Sequence, residues 1–187
     1  MMAMALGLVV SSILAAIALR HRWTMTPITA TTSLIYTLPS VALFALLAPV
    51  WGNLSRWTAV VPLAGYTLLI LVTNIVAGFQ AVPPSVRDAA DGMGMSRTRR
   101  VRTVDLPLAV PYIVTGIRIA TVSTVGLVTV AAIIGQGGLG RLIFSGLRRA
   151  FWTPMTVGAS LSIILALVLD AVILMIGLWL APWQRRR

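Results

Sequence analysis

The residues that could do chemistry in this chain are few, and most of them lie in one stretch. The chain has four acidic residues, all aspartate, one histidine at His21, and no cysteine. Thiolate catalysis, disulfides and thiolate metal sites are therefore excluded, and His21 has no second imidazole with which to share a metal ion. An enzyme needs a nucleophile and a base within reach of each other, and this inventory offers no such set. Asp88, Asp91 and Asp105 instead belong to a polar block of another kind.

That block reads Asp88-Ala-Ala-Asp-Gly-Met-Gly94, followed after nine intervening residues by Val104-Asp-Leu-Pro107. Ala89 and Ala90 give a small face that permits close approach of a partner, and Met93 adds an adaptable apolar contact. Gly92 and Gly94 allow the backbone to turn. The block is therefore predicted to be a docking surface. The competing interpretation is an amphipathic connector on lipid headgroups, in which the arginines face phosphates: Arg97, Arg99, Arg100 and Arg102.

The polar block needs local elements to hold it, and residues 82–107 predict a helix–turn–helix hairpin. Pro83 and Pro84 stop the preceding apolar run, because proline cannot continue a helix. Ser85, with Asp88 three residues later, is predicted to cap a short helix that runs to about Met93. Ser96 is predicted to cap a second short helix that runs to about Val104, and Pro107 precedes the next apolar run.

The rest of the chain is apolar enough to be an all-α integral membrane protein. Hydrophobic residues make up 58% of it, charged residues only 10%, and the mean hydropathy is +0.95. Ala16-Ile-Ala18 matches a signal-peptide cleavage pattern, but the positive charge follows the apolar run at Arg20 and Arg22 instead of preceding it. We therefore expect the first run to be a span. Five segments can cross the hydrocarbon core as helices: 1–19, 31–50, 58–80, 108–134 and 154–181.

The arginines predict the orientation of these spans. With the polar block in the cytoplasm, ten arginines fall on the cytoplasmic side, Arg185, Arg186 and Arg187 among them, and four on the outer side. This distribution obeys the positive-inside rule, so the N-terminus is predicted outside and the C-terminus inside. The net charge of +11 then indicates contact with anionic lipid and not with nucleic acid. The six tryptophans fall at predicted span ends, as interfacial aromatic rings do: Trp23, Trp51, Trp57, Trp152, Trp179 and Trp183.

Two charged residues, Arg118 and Asp170, lie within predicted spans, and such residues are functional candidates by default. Arg118 shares a helix face with Thr121, and the two charges could pair across spans four and five. The alternatives are that Arg118 extends to the interface and that Asp170 only bonds neighbouring helices. Pro39 and Ser40 free backbone groups within the second span, where they either line a pathway or mark a packing kink.

The spacing of the polar block resembles the cytoplasmic "EAA" signature of ABC-importer permeases, with Asp for Glu and Val for Ile. The resemblance implies the type I importer permease fold, in which the hairpin docks as a lever on a cytoplasmic ATPase dimer. The aspartate keeps the charge of the usual glutamate on a shorter side chain. The positions that match the ATPase-coupling motif and its surroundings are Asp88, Ala89, Ala90, Gly92, Met93, Gly94, Leu106 and Pro107.

Further segments resemble the osmoprotectant branch of these permeases, whose importers move glycine betaine, choline, carnitine or proline betaine. They are Thr37–Leu43, Gly92–Ser96, Leu106–Pro111, Gly116–Arg118 and Ile134–Gly140. The resemblance implies a single permease domain over 1–187 in the bacterial inner membrane, without a fused binding domain or a cofactor of its own. It also implies a second permease copy or paralogue, a separate extracytoplasmic binding protein, and ATP with magnesium in the ATPase. Methionine or a thiol betaine as cargo, and a membrane scaffold without transport, stay open as alternatives.

The glycines at 135–140 match the dinucleotide pattern G-x-G-x-x-G. That pattern binds nucleotides only between a strand and a helix of a βαβ unit, whereas here it follows a membrane span on the outer side. We predict instead a tight turn beside the outer mouth of the pathway, where the binding protein docks. The glycines concerned are Gly135, Gly137, Gly138 and Gly140.

Overall fold

The structure is a computed structural model that describes residues 1–52 and 55–183, and these residues contain helices and no β-strand. Short 3₁₀ turns follow α1 and α7, and a π-helix at Val101–Asp105 joins α6 to α7 without a break. The helices are α1 (Met2–Arg20), α2 (Met25–Thr37), α3 (Ser40–Trp51), α4 (Trp57–Gln80), α5 (Pro84–Gly92), α6 (Arg97–Arg100), α7 (Leu106–Val130), α8 (Gly140–Arg148) and α9 (Trp152–Leu180).

Four helical stretches among the described residues are long and apolar enough to cross a membrane. They are α1, α4, the continuous stretch Arg97–Ile134 that contains α7, and α9. These four confirm the predicted spans 1–19, 58–80, 108–134 and 154–181. The predicted span 31–50 is present as two helices, α2 and α3, which meet at an angle of 92°.

Proline explains where the second span breaks. Pro39 lacks the amide hydrogen that would continue α2, and its ring forces the preceding residue out of helical geometry. Leu38 accordingly adopts an extended conformation with ψ of 136°. The Leu38 carbonyl, which the break leaves without an intrahelical donor, accepts a hydrogen bond from the Tyr66 hydroxyl of α4. The break is thus a satisfied feature of the fold.

The centre of the bundle is α4, which lies between α1 and α7. In the apolar 18-residue core of α4, 56% of the residues are buried, whereas the corresponding share for α9, at the edge of the bundle, is 6%. Glycines permit the close crossings: a Cβ at Gly78 would lie 2.9 Å from the Ala109 carbonyl oxygen, and one at Gly116 would lie 2.6 Å from the Asn74 Cβ. Both crossings join the last turns of α4 to the first half of α7, so the two helices are antiparallel. Small residues that let backbones approach are the usual means of helix association in membranes.

The two ends of the bundle differ in charge. Arg20 and Arg22 line one cavity together with Arg87, Arg97 and Arg100, so α1 ends beside the hairpin. At the other end, the Gln136 side chain donates to the Ser55 carbonyl, 2.9 Å away, just before α4 begins. Because α4 starts at the end opposite to the arginines, the α2–α3 pair must cross the bundle and is a broken span, not a re-entrant loop. The positive-inside rule assigns the arginine-rich end to the cytoplasm. Three of the ten arginines predicted on the cytoplasmic side, Arg185, Arg186 and Arg187, lie outside the described residues.

Two local predictions were wrong. Ser85 does not cap α5, because Pro83 occupies the cap position and Pro84 supplies the first turn, where proline is tolerated. The second hairpin helix does not end before Pro107, because the π-helix continues it into α7 and Pro107 sits in the first turn of that helix. The segment that starts at Gly140 also contains a helix, α8, which was not predicted from the sequence.

Candidate functional site

The hairpin at residues 82–107 is built around one glycine. Gly94 has a φ of 73°, in the left-handed region that glycine occupies without strain. This conformation ends α5 and lets the Met95 amide donate to the Ala90 carbonyl at 3.2 Å. Ser96 then begins the second helix, and its hydroxyl oxygen accepts a hydrogen bond from the Arg99 amide at 3.4 Å. The predicted turn at Gly94 and the predicted cap at Ser96 are both confirmed, whereas Gly92 is still part of α5.

An ion-pair network fixes the hairpin to the membrane-spanning helices. Asp105, only 4% exposed, pairs with Arg87 Nε at 3.3 Å and with Arg100 Nε at 3.6 Å. Arg87 also donates to the Phe79 carbonyl at the end of α4, and Arg100 donates to Asp91. Sequence reasoning missed the role of Asp105, and its only signal was an acid among arginines close to the end of the polar block.

The motif residues on α5 divide between two faces. Val86, Ala89 and Met93 follow one another at helical spacing and are exposed, with Met93 70% exposed. Asp88 is exposed beside them, and Ala90 is buried at 1% exposure on the side that packs against the rest of the hairpin. The exposed face therefore presents apolar side chains beyond the end of the spans. Leu106 and Pro107 lie apart from this face, in the first turn of α7.

Arg118 and Asp170 form an ion pair between α7 and α9, which confirms that these two charges meet. Arg118 Nε lies 2.8 Å from Asp170 Oδ1, and Arg118 Nη2 lies 2.7 Å from Oδ2, so the pair is bidentate. The two side chains are 31% and 27% exposed on a groove of about 480 Å³. Thr121 is buried and does not line this groove. Pro39 and Ser40 stand at the break between α2 and α3.

The glycines at the opposite end of the bundle do form a turn. Gly135 and Gly138 both have a φ of 84°, which only glycine adopts readily. A Cβ at Gly140 would lie 2.1 Å from the Thr129 carbonyl oxygen, so α8 starts in close contact with the end of α7. Around Gly137 a Cβ would meet nothing within 4 Å. In the described ranges 1–52 and 55–183, no group of three or more acidic, histidine or cysteine side chains could hold a metal ion.

Comparison with known proteins places this geometry in a family. The family described as "Binding-protein-dependent transport system inner membrane component" matches residues 7–186. The osmoprotectant import permease protein OsmW of Salmonella typhimurium is 35% identical over 90% of this chain and 80% of its own length. The choline transport system permease protein OpuBB of Bacillus subtilis is 34% identical over 100% of this chain and 86% of its own length.

Two further similarities bear on cargo and fold. The ergothioneine transport permease/ergothioneine binding protein EgtU of Helicobacter pylori is 36% identical over 73% of this chain, which spans 24% of that protein. Among solved structures, the inward-facing MetNI methionine ABC transporter matches with a TM-score of 0.80 over 95% of this chain and 89% of that chain. At 20% identity this last match shows a shared fold.

Proposed function

The chain belongs to the family of binding-protein-dependent transport system inner membrane components, and we propose that it moves a small osmoprotectant of the glycine betaine, choline, carnitine or proline type. It is a multi-pass inner membrane permease of the ABC-importer type. The similarity to the osmoprotectant and choline permeases supports this class of cargo. The observation that supports coupling to an ATPase is the hairpin, which presents an apolar face outside the spans and is held to the bundle through Asp105.

The exposed face of α5 is where we place the cytoplasmic ATPase dimer. An apolar stripe of Val86, Ala89 and Met93 beyond the membrane would lie in water unless a partner covered it. Methionine adapts its shape to such a partner. The ATPase, with its ATP and magnesium, supplies the chemical energy, and this chain binds no cofactor and has no catalytic role in the proposal.

The Asp105 network gives the hairpin a rigid connection to the bundle. Arg87 links α5 to the end of α4 through the Phe79 carbonyl, and the π-helix links α6 directly to α7. A movement imposed on α5 therefore reaches α4 and α7, the two helices that pack most closely. This connection supports a lever role for the hairpin, because a loosely attached connector would absorb the movement.

A second permease copy or a paralogue completes the pathway in this proposal. Charged side chains at membrane depth face protein or water, since hydrocarbon solvates them poorly. The partly exposed Arg118–Asp170 pair therefore marks the face that meets the pathway or the second copy. Pro39 and Ser40, at the break in the second span, are the other pathway candidates; the buried Thr121 supports the packing of α7.

The separate extracytoplasmic binding protein is placed at the glycine turn of residues 135–140, at the end of the bundle opposite to the hairpin. Two left-handed glycines and the close start of α8 give that surface a fixed shape. A thiol betaine such as ergothioneine is the second candidate cargo, favoured by the similarity to EgtU. An uptake assay in cells distinguishes the osmoprotectant from the thiol betaine. Unlabelled glycine betaine, choline, carnitine and ergothioneine are compared as competitors, and the cargo is the solute that competes best.

The docking proposal can be tested directly because the chain has no cysteine of its own. We expect Met93→Cys to form a cross-link to the ATPase with a short reagent that joins its thiol to lysine amines of the partner. Trp152→Cys is the matched control, since Trp152 is similarly exposed but begins α9 at the other end of the bundle. Equal cross-linking of both variants, or none from Met93→Cys, would contradict docking on α5.

A further inference from the structure

A cavity of about 940 Å³ lies at the arginine-rich end of the bundle, and three of the arginines that line it have no part in the proposed function. Among residues 1–52 and 55–183, its lining contains five arginines and a single acid, Asp105, together with apolar side chains of α1, α4 and α7. The arginines come from different parts of the chain: Arg20, Arg22, Arg87, Arg97 and Arg100.

Two of these arginines are already neutralised and three are not. Arg87 and Arg100 pair with Asp105, and Arg100 also pairs with Asp91. The side chains of Arg20, Arg22 and Arg97 make no ion pair or hydrogen bond with any of the described residues, 1–52 and 55–183. These three exposed cations line the same cavity, so an anion placed between them would gain favourable electrostatic energy.

The position and the apolar wall identify the anion. Arg20 is the last residue of α1, which places these arginines at the depth where a span meets the headgroup layer. The lining also includes side chains that suit an acyl chain, Leu19, Ile75, Phe79 and Ile113. We propose that this cavity binds one anionic phospholipid, with its phosphate between Arg20, Arg22 and Arg97 and an acyl chain along the apolar wall. Basic pockets between spanning helices on the cytoplasmic side bind lipid headgroups in this way.

The bound lipid also ties the hairpin to α1. Arg97 begins α6 of the hairpin, whereas Arg20 and Arg22 belong to α1 and the turn after it. One phosphate held by all three connects the hairpin to α1, in addition to its anchor on the Phe79 carbonyl of α4. Any effect of the lipid on coupling rests on the proposed function, but the binding site itself does not.

Native mass spectrometry of the purified protein in detergent tests the site with defined lipids. We expect phosphatidylglycerol to bind well and phosphatidylcholine weakly. Each arginine near a headgroup contributes about a fivefold gain in affinity, so the triple variant Arg20→Gln/Arg22→Gln/Arg97→Gln should bind phosphatidylglycerol about a hundredfold more weakly. The triple Arg20→Lys/Arg22→Lys/Arg97→Lys keeps the charge and should retain most of the binding.

The matched control neutralises three exposed arginines at the opposite end, Arg56→Gln/Arg148→Gln/Arg149→Gln, and should leave binding unchanged. Thermal unfolding of every variant checks that the comparison is made between folded proteins. The single variant Arg22→Gln, at an exposed position outside the α-helices, should give a smaller loss in the same direction. Equal losses in both triple glutamine variants would overturn the proposal. Displacement of the lipid by millimolar inorganic phosphate or by soluble glycerophosphoglycerol would also overturn it, because the site would then take free phosphate groups. ATP hydrolysis assayed alongside distinguishes a failure of the lipid site from a failure of the transporter proposal.

Discussion

Replacing Gly94 by alanine tests the hairpin turn with an effect that the backbone geometry determines. The φ of 73° at this position is disfavoured for L-residues by about 1–2 kcal/mol. A Cβ there would meet nothing within 4 Å, so no steric clash adds to this conformational cost. A cost of this size lowers the population of the docking-competent turn about 5- to 30-fold relative to the relaxed hairpin.

Gly92 provides the matched control for the same substitution. It lies two residues away in α5, its φ is not positive, and a Cβ there also meets nothing within 4 Å. Gly92→Ala should therefore be neutral or should stabilise α5 by about 1 kcal/mol. Gly94→Asn should lie between alanine and the wild type, because asparagine tolerates the left-handed region better than other non-glycine residues.

The assay is the stimulation of ATP hydrolysis by ligand-loaded binding protein in the reconstituted complex. We expect stimulation to fall several-fold in Gly94→Ala, less in Gly94→Asn, and not at all in Gly92→Ala. Basal hydrolysis by the isolated ATPase is unaffected, since it does not contain the hairpin. Full stimulation in Gly94→Ala, or an equal loss in Gly92→Ala, would refute the reasoning that the turn conformation carries coupling.

Three further predictions concern contacts elsewhere in the chain. Asp105→Asn removes the anion that two arginines share, so the hairpin should be cleaved faster in limited proteolysis. An unchanged cleavage rate would show that the ion-pair network does not hold the hairpin in place. Gly140→Ala drives a Cβ into the backbone of α7 and should destabilise the protein by about 1–3 kcal/mol in thermal unfolding, whereas Gly137→Ala, with open space around it, should not. Asp170→Asn leaves Arg118 without its charged partner, so it should impair uptake while the complex still assembles on size-exclusion chromatography. The charge-swapped variant Arg118→Asp/Asp170→Arg should recover part of the uptake activity. Normal uptake by Asp170→Asn alone would remove the pair from the mechanism.

Local chemistry made part of the hairpin predictable. Gly94 and Ser96 act through their own backbone and side-chain properties, a left-handed turn and a helix cap, and both were found from the sequence. Ser85 failed because two prolines compete for the same helix start and proline fits the first turn. The anchoring role of Asp105 could not be predicted, because it depends on an ion pair with Arg87, which is distant in sequence and close only after folding.

In the bundle, too, features set by local sequence were predictable and features set by tertiary contacts were not. Continuous hydropathy located the spans. The 92° bend after α2 was not predictable in size, since Pro39 only permits it and Tyr66 of another helix stabilises it. The helix α8 was missed because it is short and amphipathic, and its apolar face is meaningful only against α9. Arg118 and Asp170 were predicted as a possible pair because a membrane leaves two lone charges few other partners.

ATP-dependent uptake into proteoliposomes tests the central claim most directly. The vesicles contain this chain with its ATPase, and the labelled solute is the one that the partner binding protein binds best among glycine betaine, choline, carnitine and ergothioneine. We predict accumulation only when ATP is hydrolysed and loaded binding protein is present at the surface opposite to the hairpin. Uptake that continues without ATP hydrolysis, or that is unchanged when this chain is omitted, would contradict the account.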